Sequence, residues 1–228
     1  METRSNGFRY ERKFLVDRLD QHQVMGLVKR HPSMFFEPYP PRFVNNFYFD
    51  TPDMQNYHDN VSGAANRRKL RIRWYGELMG RIESPVLELK VKRGLVGTKR
   101  HYPIATFDLA DDIGARMVMP SLFASELPPE VVSYLHTVTL VLMNRYHRRY
   151  YVSRDGKFRL TLDTNMAFHR VGGLTKRLAR RRVDHRNVIV ELKYGVDEDV
   201  AASRVSGFFP FRVTKSSKYV QGIDRVFL

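Results

Sequence analysis

Successive side chains of a β-strand point to opposite faces. The stretch Lys69-Leu70-Arg71-Ile72-Arg73-Trp74-Tyr75 therefore sets Lys69, Arg71, Arg73 and Tyr75 on one side and Leu70, Ile72 and Trp74 on the other. A half-buried strand usually alternates apolar residues with neutral or mixed polar ones. Here the polar side is a row of cations, and any fold of this chain has to place that row.

The split recurs. Phe8 to Val16 sets Glu11, Lys13 and Leu15 against Tyr10, Arg12 and Phe14, and Val86 to Lys92 sets Glu88, Lys90 and Lys92 against Leu87, Leu89 and Val91. In the second half Tyr146, Arg148 and Tyr150 share a face, as do Arg159, Thr161 and Asp163, and Glu191 with Lys193. Phe43–Phe49, Thr98–Tyr102 and a short Phe211–Thr214 also read as strands, and Arg154-Asp155-Gly156-Lys157 reads as a hairpin turn. Helical patterns start after Asp20, run in pieces from Asp108 to His136 around Pro120, Pro128 and Pro129, and occupy Asp197–Phe209. A last one follows Ser216 as its cap. No linker divides residues 1–228, so the expectation is one α+β domain: about eight antiparallel strands closing into a barrel.

The formal charge of +15 favours a polyanionic partner. The absence of cysteine excludes disulfides and thiolate metal sites. Met1 to Gly7 lacks a signal-peptide stretch, and no apolar run approaches the ~20 residues of a membrane span, so a soluble, cytoplasmic protein is expected.

The cationic faces have two possible placements. Either the apolar faces form the core and the charges meet solvent, or helices cover an apolar outside and the charges line a tunnel. The amphipathic helices, the Arg and Lys at strand centres, and the repeated pairs Glu11/Lys13, Glu88/Lys90 and Glu191/Lys193 favour the tunnel. Like charges ~5 Å apart repel by about 3 kcal/mol at an effective dielectric near 20. An empty tunnel would thus be strained and would favour a bound polyanion, with Arg and Lys on the phosphates. Carboxylates do not bind phosphate, so their presence points to a bridging, oxygen-ligated Mg²⁺ or Mn²⁺. The histidines lack metal-ligand spacing and read as surface or structural, and Tyr48, Tyr75, Tyr146 and Tyr150 read as packing residues able to stack on a base. Lys176–Arg182 reads as a solvated basic loop or a rim at the tunnel mouth rather than a nucleic-acid or membrane site.

The chain resembles the catalytic domain of the vacuolar transporter chaperone (VTC) polyphosphate polymerases, a branch of the triphosphate tunnel metalloenzymes. The resemblance rests on Tyr10-Glu11-Arg12-Lys13-Phe14, Asn46-Phe47-Tyr48-Phe49-Asp50-Thr51, Lys69 to Gly76, Leu87-Glu88-Leu89-Lys90, Tyr146 to Tyr151, Arg159 to Thr164, Glu191-Leu192-Lys193-Tyr194 and Ser216-Ser217-Lys218-Tyr219, in order along the chain. It implies a closed eight-stranded antiparallel tunnel with helices packed outside. It also implies a phosphate-binding wall of Lys13, Arg71, Arg73, Lys90, Arg148, Arg159, Lys215 and Lys218, with Lys193 and Lys99 as secondary candidates. Glu191 would be the metal-binding carboxylate, with Glu11 and Glu88 as further metal candidates. The implied chemistry is phosphoryl transfer from a nucleoside triphosphate, with ATP as donor, to a growing polyphosphate or to water. A polyphosphate- or nucleic-acid-binding module is the non-enzymatic alternative, with nucleic acid the less favoured partner. The polymerase activity leaves room for a membrane-protein partner to take the product.

Overall fold

A computed structural model describes residues 9–94, 96–110, 115–171 and 179–227. Eight antiparallel strands form one continuous path, β1-β11-β9-β8-β2-β3-β5-β6. They are β1 (Arg9–Val16), β2 (Arg42–Asp50), β3 (Arg67–Tyr75), β5 (Val86–Arg93), β6 (Val96–Pro103), β8 (Thr139–Val152), β9 (Phe158–Arg170) and β11 (Val188–Gly195). A ninth, β10 (Ala179–Asp184), pairs with the far half of β9, while β4 (Gly80–Ile82) and β7 (Phe107–Leu109) make a separate two-stranded patch.

The sheet is strongly curled. β5 lies six inter-strand steps from β1, about 29 Å away if the sheet were flat. Yet the Lys90 ammonium on β5 interacts electrostatically with Glu11 and Lys13 on β1 and with Lys193 on β11. The curl brings the ends of the path round a common trough. Among the described residues no ladder joins β1 to β6, so hydrogen bonds do not close the barrel that the strand pattern led one to expect. The free edge of β1 meets the chain near Val213 instead. Val213 bridges Phe14, the Thr214 N–H donates to the Lys13 carbonyl at 2.8 Å, and Thr214 Oγ1 accepts from the Leu15 N–H at 3.0 Å.

The apolar strand faces point outward and are covered by helices. On β1, β9 and β11, Phe14, Leu160, Val190 and Leu192 pack with α1 (Gln21–Lys29) through Val24 and Val28, and with α5 (Asp199–Gly207) through Ala202 and Val205. Asp20 starts α1 in a capping box with Gln23. On β2, β3 and β5, Phe47, Leu70, Ile72, Trp74 and Leu87 pack with α3 (Ala115–Phe123) and α4 (Pro129–Leu135). The β4–β7 patch adds Ile82 and Phe107, the latter edge-on to Trp74. α2 (Gln55–Ser62) follows a turn in which Asp50 accepts from the Asn56 and Tyr57 N–H groups.

The last helix, α6 (Lys218–Phe227), departs from the expected outside packing. Its Tyr219, Ile223 and Val226 bury against Tyr48, Leu142, Phe168 and Ile189. Tyr48 and Ile189 share the strand face of Asn46 and Glu191, so α6 fills one end of the concave, charged side. Tyr219 donates to Asp50 and Tyr57 to Asp224, tying α6 to the start of α2. Ser217 rather than Ser216 caps the helix, accepting from the Val220 N–H at 3.5 Å.

Gly222 is what lets α6 lie so close. A Cβ there would meet Leu142 Cδ2 at 2.5 Å and Phe168 Cδ1 at 2.7 Å, and both residues are fully buried. Gly222→Ala should therefore overpack the plug and lower the unfolding free energy by about 1–3 kcal/mol. Urea denaturation checks this, and unchanged stability would mean that α6 is not seated as described.

Candidate functional site: a basic trough with three buried carboxylates

The concave face carries the residues singled out by strand alternation. On the β3–β5 side, Glu88 is buried and both of its oxygens are engaged. Arg71 Nε lies 2.6 Å from Oε2, while Arg73 Nη1 (3.7 Å), Lys99 Nζ (3.1 Å) and His101 Nε2 (3.6 Å) approach Oε1. Burial opposes ionisation of Glu88, but Arg71, Arg73 and Lys99 hold its carboxyl far below the usual carboxylate range. Arg71 Nη1 also donates to the Tyr48 hydroxyl at 3.3 Å, and Arg73 Nη2 to the Tyr146 hydroxyl at 3.1 Å. Arg73 Nε donates to Asn46 Oδ1 at 2.9 Å, and Asn46 in turn donates to Asn144 at 2.8 Å.

Across the trough the counter-charges are Asp163 and Glu191. Arg148 grips Asp163 with two parallel bonds, Nε–Oδ1 at 2.6 Å and Nη2–Oδ2 at 2.7 Å. Lys218 Nζ, delivered by the first residue of α6, lies 2.5 Å from Asp163 Oδ2 and 3.5 Å from Glu191 Oε1. Arg148, Lys13 and Lys193 approach Glu191 at 3.7, 3.6 and 3.5 Å. Burial opposes its ionisation, but Lys218, Lys13, Arg148 and Lys193 hold Glu191 well below the usual range. Lys13 Nζ also reaches Glu11 at 3.2 Å, so its ammonium sits between two carboxylates.

The structure thus gathers Lys13, Arg71, Arg73, Lys90, Arg148 and Lys218 with Glu11, Glu88 and Glu191 round one trough. Arg159 shares the strand face of Asp163 and lies exposed beside Lys193, with which it is in register. Lys215 is exposed in the segment that runs along the free edge of β1. Lys99, a secondary candidate, is a direct partner of Glu88. His101, expected at the surface or in a structural place, belongs to the charged cluster. Of Lys176–Arg182, residues 176–178 lie outside the described residues, and Arg181 and Arg182 are exposed on β10.

Lys69 was legible from parity with Arg71 and Arg73, yet its importance appears only in three dimensions. Its Nζ donates to Ser217 Oγ at 2.9 Å. Burial, and then the charges of Lys13, Arg71, Lys90 and Arg67, push its ammonium down to about 7. Burial likewise takes Lys99 down to about 8, Glu88 only partly offsetting Arg71 and Arg73. These values mark two buried ammonium groups crowded by other cations, in contrast to Lys13 and Lys218, whose carboxylate partners raise them. The Asn46–Asn144 pair had no signal in the sequence beyond two asparagines in strand interiors.

Among the described residues no three His, Asp or Glu side chains converge as a ready metal cage. Mg²⁺-type ions, however, commonly take one or two carboxylates and complete their shell with substrate phosphate and water. Glu191 and Glu11, which share the Lys13 ammonium, supply two carboxylates of that donor set. Glu88, with both oxygens occupied, is placed as a counter-ion to Arg71 and Arg73.

The sequence matches the VTC domain over residues 8–227, so the chain belongs to the VTC domain family. Solved structures show the same fold at low sequence identity. HpAC1 from Hippeastrum, a putative adenylyl cyclase described as having a dominant triphosphatase activity, superposes with a TM-score of 0.56 at 17% identity, covering 95% of this chain and 96% of that one. A putative adenylate cyclase from Bacillus halodurans gives 0.53 at 16% identity over 94% and 96% of the two chains. Another from Vibrio parahaemolyticus gives 0.50 at 13% identity over 94% and 98%. No curated protein matches in sequence. No described helix is long and apolar enough to cross a membrane.

The depressed lysines make a thermodynamic statement about binding. A polyanion in the trough favours the charged ammonium and so raises both pKa values. Between the free and bound values the two lysines take up protons on binding, so affinity for an anion of fixed charge falls as pH rises from about 7 towards 9. Calorimetry of inorganic triphosphate at about pH 8, in buffers of different ionisation heat and corrected for the ligand's own ionisation, should show proton uptake by the protein. Proton release, or affinity rising with pH, would contradict the electrostatics described.

Proposed function

We propose that the trough holds a triphosphate or polyphosphate and transfers its terminal phosphoryl group in a metal-dependent reaction, with polyphosphate synthesis from ATP as the activity. The observation that carries this reading is the crowding of buried cations: Lys69, driven to about 7 first by burial and then by Lys13, Arg71, Lys90 and Arg67, marks a trough that invites a ligand of high negative charge density. In this reading the gap between β1 and β6 closes over the bound chain to complete a tunnel.

Arg71, Arg73, Lys90, Arg148 and Lys218 bind the non-bridging oxygens and fix the chain along the trough, with Lys13, Arg159 and Lys215 continuing the wall. Arg71 and Arg73 are pre-set by Glu88, Asn46 and the Tyr48 and Tyr146 hydroxyls. Their donors therefore need little reorganisation as charge shifts in the transition state. Glu191, with Glu11, would hold Mn²⁺ or Mg²⁺, which supplies neutralisation of charge on the phosphates. An oxygen of the acceptor chain's terminal phosphate attacks the γ-phosphorus in line, the bond to the bridging β–γ oxygen breaks, and ADP leaves. The protein provides no nucleophile. Its contribution is position and positive charge.

The triphosphatase activity described for the Hippeastrum protein favours a second reading in which water is the acceptor. Incubation with ATP and Mn²⁺ separates the two: long chains on a gel support synthesis, free phosphate alone supports hydrolysis. Glu191→Gln should abolish either product while inorganic triphosphate binds as tightly as before or more so, because the trough gains positive charge. Full turnover in that variant would remove Glu191 from the reaction. No turnover by the native chain, despite tight binding, would leave a polyphosphate-binding module.

A further inference from the structure

Beyond the buried arginines, the concave face ends in a stack of alternating cations and aromatic rings. Arg148, which grips Asp163, has its guanidinium carbon 5.9 Å from the centre of the Tyr150 ring. On the next strand Arg42 is the register partner of Arg148 and lies 5.1 Å from the same ring, its Nε donating to the Tyr150 hydroxyl at 3.1 Å. Arg42 then lies 3.8 Å over the Tyr75 ring, and Tyr39 stands edge-on to Tyr150 at 6.4 Å.

Two features set this stack apart from ordinary packing. Among the described residues Arg42 has no carboxylate within ion-pair distance, unlike Arg71, Arg73 and Arg148. The outer rings are wet: Tyr75 is 45% and Tyr39 66% exposed, whereas Tyr48 and Tyr146, deeper on the same face, are buried. Arg42 also lies six residues before Tyr48 on β2, about 20 Å from the α6 plug. The stack thus begins at the buried charged layer and ends in solvent at the open end.

We infer that the Arg42–Tyr75–Tyr39 mouth is the nucleobase site of a nucleoside triphosphate whose phosphates lie in the trough, so that the donor is a nucleotide rather than free triphosphate. This rests on the proposed triphosphate-binding function of the trough. A base has the flat face that a cationic plane and exposed rings recognise. The contacts are to ring faces, with no fixed donors and acceptors aimed at a base edge. Recognition is therefore by stacking area, tolerant of base identity and stronger for purines.

The experiment measures binding of ATP and of inorganic triphosphate by calorimetry to the full chain without divalent metal, so that turnover does not intervene. Arg42→Ala and Tyr75→Ala should each weaken ATP about tenfold, the scale of one lost stacking contact, and leave inorganic triphosphate unchanged. Tyr75→Phe should bind both as the native chain does, and ITP should match ATP. Melting curves confirm that the variants are folded, and Tyr39→Ala, at a more exposed position, supplies an independent variant. An unchanged ratio of ATP to triphosphate affinity overturns the base site alone. Equal weakening of both ligands also overturns it, placing Arg42 on phosphate. A native chain that binds neither ligand overturns the trough's proposed function itself.

Discussion

The constraint on which this structure depends is the pairing of inward-facing cations with three buried carboxylates. Breaking a buried pair by removing one partner typically costs about 3–5 kcal/mol, because the remaining charge is stranded. Asp163, fully buried, is such a partner for Arg148. Glu88 does the same for Arg71 and Arg73, and Glu191 sits where strands β1, β8 and β11 and helix α6 all bring charge. The carboxylates make the concave face foldable. They do not neutralise it, and the remaining positive charge is what the proposed function uses.

Geometry follows from that division of faces. With charges inside, the apolar faces must be covered from without, which is the work of α1, α3, α4 and α5. One end of the concave side is still apolar, through Leu142, Phe168 and Ile189, and α6 covers it from within. That helix therefore has two consequences: its Tyr219, Ile223 and Val226 seal the end, and its first residue, Lys218, brings an ammonium to Asp163 and Glu191. Seating of α6 thus completes the charged site.

Much of this was readable in the chain because alternation is a strong signal wherever both faces are chemically distinct. Lys69–Tyr75, Val86–Lys92 and Val188–Tyr194 fall inside strands with the parity expected, and the split of faces identified Arg71, Arg73, Glu88, Arg148 and Glu191 as neighbours. The strands β4 and β7 have three residues each, too few to show a period. β10 is half arginine, so its alternation is hidden by charge. The inward placement of α6 was not legible because an amphipathic helix looks the same whichever face of a sheet receives it; Gly222 marks the close approach only once Leu142 and Phe168 are known to face it. Nor could the sequence show that hydrogen bonds leave the edge of β1 to Val213, since closure depends on curl and not on any one strand. Lys69 had the right parity, but its pKa is depressed first by burial and then by neighbouring cations, of which Lys90 is its register partner while Lys13 reaches it only through that curl.

The central claim is that the concave face is an under-neutralised anion site, and thermal denaturation tests it most directly. Inorganic triphosphate at about a hundred times its dissociation constant should stabilise the chain by about 2.7 kcal/mol, which for a protein of this size is a rise in Tm of roughly 5–10 °C. Chloride at the same ionic strength should do far less, because screening does not place charge between the buried ammonium and guanidinium groups. If triphosphate, sulfate and chloride shift the Tm alike, the cations of the trough are merely solvated and the account is wrong.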